Sequence, residues 1–387
     1  MRFLMCVFLL VGLARAQQQP DRVRKDVMDQ NDGMLESVRP PEPVHKPQTD
    51  VEAEQGRKLG RMLPKPEVLQ PALDTALKAY QPRRDVKLSG HFKGAASDVL
   101  PGLVRLWVDS FQRMYPDVHI DVPPPYAGSL GAQELIGGDL DFVFVSRELR
   151  PDDISAFQSK FGYAPFSVPV SGGSYRHYGF LDAVAFVVNK ANPLEKITLD
   201  QLDGILSSTR ARGGSAIRTW GDLGLQGDWA DKPIHVYGIK PWNGFEEFVR
   251  QRVLSAGSKR GEWRDDLHFD KVVFPVASEV ASDPYGIGYA GMAYMDAPVK
   301  TLALQVSNNR PAYAPTYENV ALAVYPLSRL VYFNTNKQPG QPLNPILEEF
   351  LRFILSRDGQ QIVADQGIFL PLRNEQVESA REILRAK

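Results

Sequence analysis

The sequence predicts an α/β fold, because short apolar segments typical of buried strands alternate with amphipathic segments typical of helices. The segments LDFVFVS (140–146) and AVAFVVN (183–189) are apolar at almost every position, as strands covered on both faces of a sheet are. A capping box, Thr198-Leu-Asp-Gln201, marks the start of a helix. We therefore predict mixed, mostly parallel sheets with helices packed on them.

The other elements continue this alternation along the chain, and turns separate them. The further predicted strands are VKLSG (86–90), VHIDV (118–122), IHVYG (234–238), GIGYAGMAYM with its turn (286–295) and RLVYFN (329–334). The predicted helices cover 103–115, 129–136, a segment that begins at Pro151, 199–207, 246–252 and 345–355.

The N-terminus has the pattern of a secretory signal peptide. Arg2 is followed by an apolar run and then by Ala14-Arg15-Ala16, which matches the small-residue cleavage pattern. The apolar run is too short to span a bilayer as a helix. We predict that residues 1–16 are a signal peptide cleaved after Ala16 and that the mature protein is periplasmic. An uncleaved anchor is the alternative.

Residues 17–85 differ in composition from the rest of the chain. They are polar and rich in proline, and they contain few large apolar side chains. Such a segment buries too little surface to offset the entropy lost on ordering. We predict a polar arm or linker with a short helix at 73–80. An arm that wraps the main domain is the open alternative.

Composition also limits the chemistry. The single cysteine, Cys6, lies in the predicted signal peptide, so the mature chain would have no disulfide, thiol nucleophile or thiolate metal site. A formal net charge of −1 gives no indication of nucleic-acid binding. The chain has no HExxH or GxSxG motif, and its histidines are scattered. The sequence therefore favours a protein that is not an enzyme and has no metal or cofactor.

Several segments from residue 86 onward carry motifs that occur together in one known family. They are LSG (88–90) with SDVLPGLVRLWVDSFQRMYPDVHIDV (97–122), YAGSLGAQELIGGDLDFVFVSREL (126–149), DAVAFVVNKANPLEKITLDQLDGI (182–205), DPYGIGYAGMAY (283–294), YPLSRLVYFN (325–334) and EFLRFILSRDGQQIVADQGIFLPL (349–372). In this order they resemble the periplasmic solute-binding proteins of the phosphate-binding type.

The resemblance implies a two-lobed periplasmic-binding-protein fold of type II, which closes about a hinge on a ligand in the cleft. Lobe one would comprise residues 86–183 and 330–387, and lobe two residues 184–329. The ligand would be a small oxyanion, most simply phosphate, delivered by a monomer to an ABC permease in the inner membrane. The same fold with an altered ligand or a sensing or scaffold role is the main alternative, and a secreted phosphatase is a further one.

The resemblance also implies which residues of lobe one contact an anion, because helix-start loops of this family donate backbone N–H groups and hydroxyls. These candidates are Ser97, Asp98 and Val99 in the first loop, Ser129 in the second, and Ser146 and Arg147 in the third. Three alternatives stay open. Ser97 could be a helix cap and nothing more, Ser129 could serve only to stabilise a turn, and Arg147 could form an ion pair with Glu148 or Asp152 instead of binding a ligand.

The lobe-two loop YGIKPWNGFEEF (237–248) departs from the family's pattern. The family has an arginine, a serine and a threonine where this chain has Ile239, Asn243 and Phe245. Asn243, Gly244 and Phe245 remain candidate ligand-binding residues through their backbone. Each lost charge-assisted donor would cost about 1.5–3 kcal/mol, so we expect a weakened or altered site.

The segment 171–178 precedes the predicted crossover and offers replacement donors in Ser174, Arg176 and His177. An ordinary surface loop is the alternative.

Overall fold

The computed structural model of the chain describes residues 72–83, 87–97, 99–122, 128–176, 181–239, 244–257, 259–270, 275–295 and 297–385. The predicted signal peptide at 1–16, and residues 17–71 of the predicted arm, lie outside these ranges. Within the described ranges, no helix combines the length and the apolar character that crossing a membrane requires.

Strands and helices alternate along the described chain. The strands are β1 (Gly90–Ala96), β2 (Val118–Asp121), β3 (Phe142–Val145), β4 (Phe166–Gly172), β5 (Val184–Asn189), β6 (Lys196–Thr198), β7 (His235–Ile239), β8 (His268–Asp270), β9 (Gly286–Gly291), β10 (Val299–Thr301), β11 (Ala303–Gln305), β12 (Ala312–Tyr313) and β13 (Leu330–Thr335). The helices are α1 (Pro101–Met114), α2 (Gly128–Gly137), α3 (Pro151–Phe161), α4 (Leu199–Leu206), α5 (Gly244–Val249), α6 (Val276–Ser282), α7 (Tyr317–Ala321), α8 (Pro345–Ile354), α9 (Arg357–Gln366) and α10 (Asn374–Arg385). A π-helical turn, Arg250–Leu254, continues α5.

Lobe one is built on a sheet with the strand order β2-β1-β3-β13-β4. β1 pairs in parallel with β2 and β3, whereas β13 runs antiparallel between β3 and β4. Phe142 and Phe144 of β3 pack into the cluster under α1 and α8, while Val143 and Val145 pack into the cluster on the other face. This period of two explains why β3 is apolar at every position.

Lobe two is built on a sheet with the strand order β10-β5-β9-β7-β8, beside a smaller sheet of β12-β11-β6. β7 is parallel to β8 and β9, while β5 is antiparallel to β9 and β10. Trp263 stacks on Tyr289 in the core of this lobe with ring centroids 5.6 Å apart. The predicted capping box at Thr198 and Gln201 is present at the start of α4.

The predicted two-lobed α/β fold with mixed sheets is confirmed. Antiparallel pairs are as numerous as parallel pairs among the described strands, which is more than the sequence indicated. The reason lies at the lobe boundary, where β5 and β13 enter each sheet against the direction of their neighbours.

Two chain crossings connect the lobes and lie side by side. One runs from β4 to β5, and the other precedes β13. The N–H of Gly173 in the first donates to the carbonyl of Arg329 in the second at 2.7 Å, and Val184 N–H donates to the Leu327 carbonyl at 3.2 Å. We call these two segments, 173–183 and 326–329, the hinge.

The first strand begins where the predicted strand at 86–90 ends. β1 starts at Gly90 because its partners fix its position, with Gly90 opposite Val118 and Ala96 opposite Phe144. Its first half alternates half-buried residues with exposed residues such as His91 and Lys93.

The described end of the arm, residues 72–83, lies along lobe one. The predicted helix at 73–80 is wrong, because this segment forms only one turn, with Leu77 N–H donating to the Asp74 carbonyl at 3.3 Å, and otherwise runs extended along lobe one. The Lys78 carbonyl accepts from Arg357 N–H at 2.8 Å, and the buried Leu77 packs into the core under α8. At the other end, the backbone of Ala72 lies close to Tyr317 of lobe two.

A buried carboxylate fastens the arm. Glu349 of α8 is 1% exposed and accepts from the Tyr80 hydroxyl at 2.6 Å, the Tyr115 hydroxyl at 3.2 Å and Arg352 at 2.6 Å. We expect Tyr80→Phe to lower the free energy of unfolding by about 1–2 kcal/mol, because a buried acceptor loses one donor. Urea unfolding measures this loss.

The matched control is Tyr163→Phe, whose hydroxyl donates to Asn336 at an exposed position. It should change the free energy of unfolding by less than about 0.5 kcal/mol. Equal effects of the two substitutions would show that the arm is not fastened at Glu349.

Candidate functional site

The three predicted lobe-one loops open at one edge of the first sheet. The reason is that β1, β2 and β3 run parallel, so their carboxyl ends meet. Ser97 follows β1, Ser146 follows β3, and Ser129 is the second residue of α2, which comes after β2. The side chain of Ser129 and the whole of Asp98 lie outside the described part of the structure.

Ser97 lies between β1 and β3 and is not a helix cap. Its N–H donates to the Phe144 carbonyl at 2.9 Å, and its hydroxyl makes a long bond of 3.4 Å to the same oxygen. The N-cap of α1 is Leu100, which excludes the capping role considered from the sequence. A hydroxyl in so long a bond can rotate toward a better acceptor. Val99 lies half-buried in the turn before α1.

Arg147 is a buried guanidinium at the end of β3, 6% exposed. Its Nη1 donates to the backbone carbonyl of Glu148 at 2.8 Å, and not to that residue's carboxylate. Burial, together with the repulsion of Arg150, lowers the pKa of Arg147 from its ordinary value. A buried cation of this kind stabilises an anion that enters beside it.

The ion pair predicted as an alternative for Arg147 is not formed with Glu148 or Asp152, because lobe two engages both carboxylates. Glu148 pairs with Arg252 at 2.5 Å, and Asp152 lies 4.0 Å from Arg260. These contacts join the two lobes across the cleft. They could not be predicted from the sequence, because the partners are far apart in the chain and no local motif marks them.

Glu247, in the first turn of α5, faces lobe one. Burial opposes its ionisation, but two hydrogen bonds from Arg260 and the attraction of Arg147 lower its pKa overall. The Arg260 bonds are 2.9 and 2.8 Å long. The attraction to Arg147 shows that the lobe-one arginine lies near the start of α5, where the lobe-two loop ends.

The lobe-two loop itself has no side chain that replaces the family's arginine among its described residues. Ile239 is fully buried in the lobe-two core, and its N–H and carbonyl both bond to the Tyr289 hydroxyl, at 3.2 and 3.3 Å. Asn243 lies outside the described residues, and α5 begins at Gly244. Phe245 packs edge-to-face on Tyr294 at 5.7 Å, so its side chain belongs to the core and only its backbone can face a ligand.

The segment 171–178 is not an ordinary surface loop. Ser174 is 1% exposed, and its backbone forms an isolated β-bridge with that of Asp182 inside the hinge. Arg176 donates from Nε to the Met292 carbonyl at 3.2 Å. His177, the third replacement donor that the sequence suggested, lies outside the described residues. The described residues include no cluster of three or more histidine, cysteine, aspartate or glutamate side chains suited to a metal ion.

Two lobes, paired crossings and loops that meet in a cleft define a hinge-closing solute-binding protein. Comparison with known proteins agrees. A family model described as a PBP superfamily domain matches residues 82–358. The chain is 35% identical over 311 residues to the phosphate-binding protein PstS of Pseudomonas aeruginosa, a match that covers 80% of this chain and 91% of that protein.

More distant relatives show the same pattern. The phosphate-binding protein PstS of Staphylococcus aureus is 25% identical over 303 residues, covering 77% of this chain and 84% of that protein. The crystal structure of PstS from Borrelia burgdorferi has the same fold, with a TM-score of 0.51 at 18% identity over 74% of this chain and 100% of that one. The chain belongs to the phosphate-type family of periplasmic solute-binding proteins, which are receptors and not enzymes.

Proposed function

We propose that this protein is an exported receptor that binds inorganic phosphate in the cleft between its lobes and delivers it to an ABC permease. The observation that carries the proposal is the buried guanidinium of Arg147, which follows β3 at the edge where the lobe-one loops open and which, among the described residues, has no ion pair with Glu148 or Asp152. The 35% identity to a phosphate-binding protein over most of both chains supports the ligand class. In this proposal the receptor is a monomer and is located in the periplasm.

The proposed binding residues are those whose loops open at the cleft. Lobe one contributes the hydroxyls of Ser97, Ser129 and Ser146, the backbone at 98–99 and the Arg147 guanidinium. Lobe two contributes backbone N–H groups at Asn243, Gly244 and Phe245. Because the backbone donors of lobe two are neutral, lobe one carries most of the electrostatic attraction.

Isothermal titration with inorganic phosphate tests the function. We expect a dissociation constant below about 10 μM. Absence of binding at millimolar phosphate would overturn the proposal. Titrations with sulfate and small organic acids test the alternative of an altered ligand, which the buried Ile239 favours because it removes a donor that the family has.

Ser129→Ala tests the site within the same experiment. We expect phosphate binding to weaken by about tenfold, since one hydroxyl donor to an anion is lost. Ser159→Ala is the control, because that hydroxyl donates to the Ser155 carbonyl on the exposed face of α3. Unchanged phosphate affinity in Ser129→Ala would remove Ser129 from the site.

A further inference from the structure

Three buried polar atoms of the hinge have no hydrogen-bond partner among the residues that the structure describes. They are the Ser174 hydroxyl, the Ser328 hydroxyl and Asp182 Oδ1. Asp182 uses its other oxygen, Oδ2, to accept from Ala293 N–H at 2.8 Å. An unsatisfied buried polar group costs about 1–3 kcal/mol, so these atoms leave hydrogen-bonding capacity in the hinge that a ligand or an ordered water would use.

Arg329 supplies a positive charge to the same place. It is 7% exposed, its carbonyl accepts from Gly173 N–H, and its guanidinium attracts Asp182. The residue is the last of the second crossing before β13.

The Arg329 guanidinium points to the lobe-two loop. It lies 4.8 Å from the ring centroid of Phe248 and 5.6 Å from that of Phe245, both in α5. Arg252, which reaches across the cleft to Glu148, lies 5.9 Å from the same Phe248 ring. Arg329 is therefore at the boundary between the lobes, on the side of α5 that faces the hinge.

Arg147 and Arg329 lie near α5 on two sides. Arg147 is within electrostatic range of Glu247 from lobe one, and Arg329 lies beside the rings of Phe245 and Phe248 from the hinge. Two buried guanidinium groups near one short segment form a setting for a multiply charged oxyanion.

We propose that Arg329 binds the oxyanion from the hinge side of the cleft. It takes the role of the arginine that the family has at the position of Ile239, and the Ser174 hydroxyl is a neutral donor beside it. This inference rests on the proposed function, since it names a further residue of the same site. It also accounts for how a charged ligand is compatible with a lobe-two loop whose described residues include no arginine in place of the family's.

Titration of Arg329→Gln with inorganic phosphate tests the proposal. We expect binding to weaken by about tenfold to a hundredfold, because a charge-assisted donor pair is lost. Arg381→Gln is the matched control. That arginine is also largely buried, but it bonds to Glu378 and the Leu355 carbonyl in lobe one. Its phosphate affinity should stay within about twofold of wild type.

A second variant separates binding from folding. Arg329→Gln removes one of the two arginines, Arg329 and Arg176, that attract Asp182. Arg329→Gln/Asp182→Asn also removes the carboxylate, and it is the variant to titrate if the single one does not fold. If the single or the double variant folds and binds phosphate with wild-type affinity, the role of Arg329 is overturned and the proposed function still stands. If wild-type protein does not bind millimolar phosphate, both the proposed function and this inference fail.

Discussion

Arg147→Met should weaken phosphate binding about a hundredfold or more while leaving the fold intact. A guanidinium that faces an oxyanion makes two charge-assisted bonds, each worth about 1.5–3 kcal/mol, and a hundredfold corresponds to about 2.8 kcal/mol. Methionine has a similar length and suits the buried position. Because Arg147 is desolvated without a short ion pair, we expect the free energy of unfolding to stay constant or to rise slightly.

Arg150→Met is the control for this experiment, and it should behave in the opposite way. Arg150 is the N-cap residue of α3 and pairs with the buried Asp153 at 3.2 Å. Its loss should lower the free energy of unfolding by about 1–3 kcal/mol while phosphate affinity stays near wild type. Calorimetric titration and urea unfolding of both variants separate the two roles. Tight phosphate binding by Arg147→Met would remove the central residue of the proposed site.

Asp182→Asn should flatten the pH dependence of stability between about pH 4 and pH 7. Burial raises the pKa of Asp182 from 3.8 to about 7, although Ala293 N–H, Arg329 and Arg176 act in the other direction. The folded state therefore binds a proton that the unfolded state has released in this range. The wild-type free energy of unfolding should fall as pH rises from about 4 to about 7, by about 4 kcal/mol from this group, and then level off.

Urea unfolding of wild type and Asp182→Asn at a series of pH values measures this difference. Asp222→Asn is the control, because backbone N–H groups of Arg218 and Thr219 lower the pKa of Asp222. The stability that the Asp222 carboxylate contributes is fully present above the pKa of this group in the unfolded state and is lost only at more acid pH. The free energy of unfolding of Asp222→Asn should therefore have the wild-type dependence on pH between about pH 5 and pH 7. A wild-type slope in Asp182→Asn would show that the hinge carboxyl does not titrate in this range.

Local patterns in the sequence were sufficient to predict most of the fold. The apolar run at 140–146 contains β3, the capping box at Thr198 starts α4, and Pro345 starts α8. These elements depend on periodicity and capping, which are properties of neighbouring residues. The predicted position of the first strand was wrong, because the position of β1 depends on pairing with strands elsewhere in the chain.

The site was less predictable because its chemistry depends on distant contacts. The sequence placed Ser146 and Arg147 at a strand end, but it did not show that Glu148 pairs with Arg252 of lobe two and not with Arg147. Nor did it distinguish Arg329 from an ordinary residue at the start of a strand. Only the packing of α5 against the hinge brings that arginine to the lobe-two loop.

The contact between Ala72 and Tyr317 has a mechanical consequence. Tyr317 packs edge-to-face on Tyr175 at 5.5 Å, and Tyr175 directly follows the hinge residue Ser174. The arm therefore reaches lobe two beside the hinge, where a rotation about the hinge would displace atoms least. A load pulling on the chain before Ala72 would act with a short lever arm, and it would exert little torque on the moving lobe.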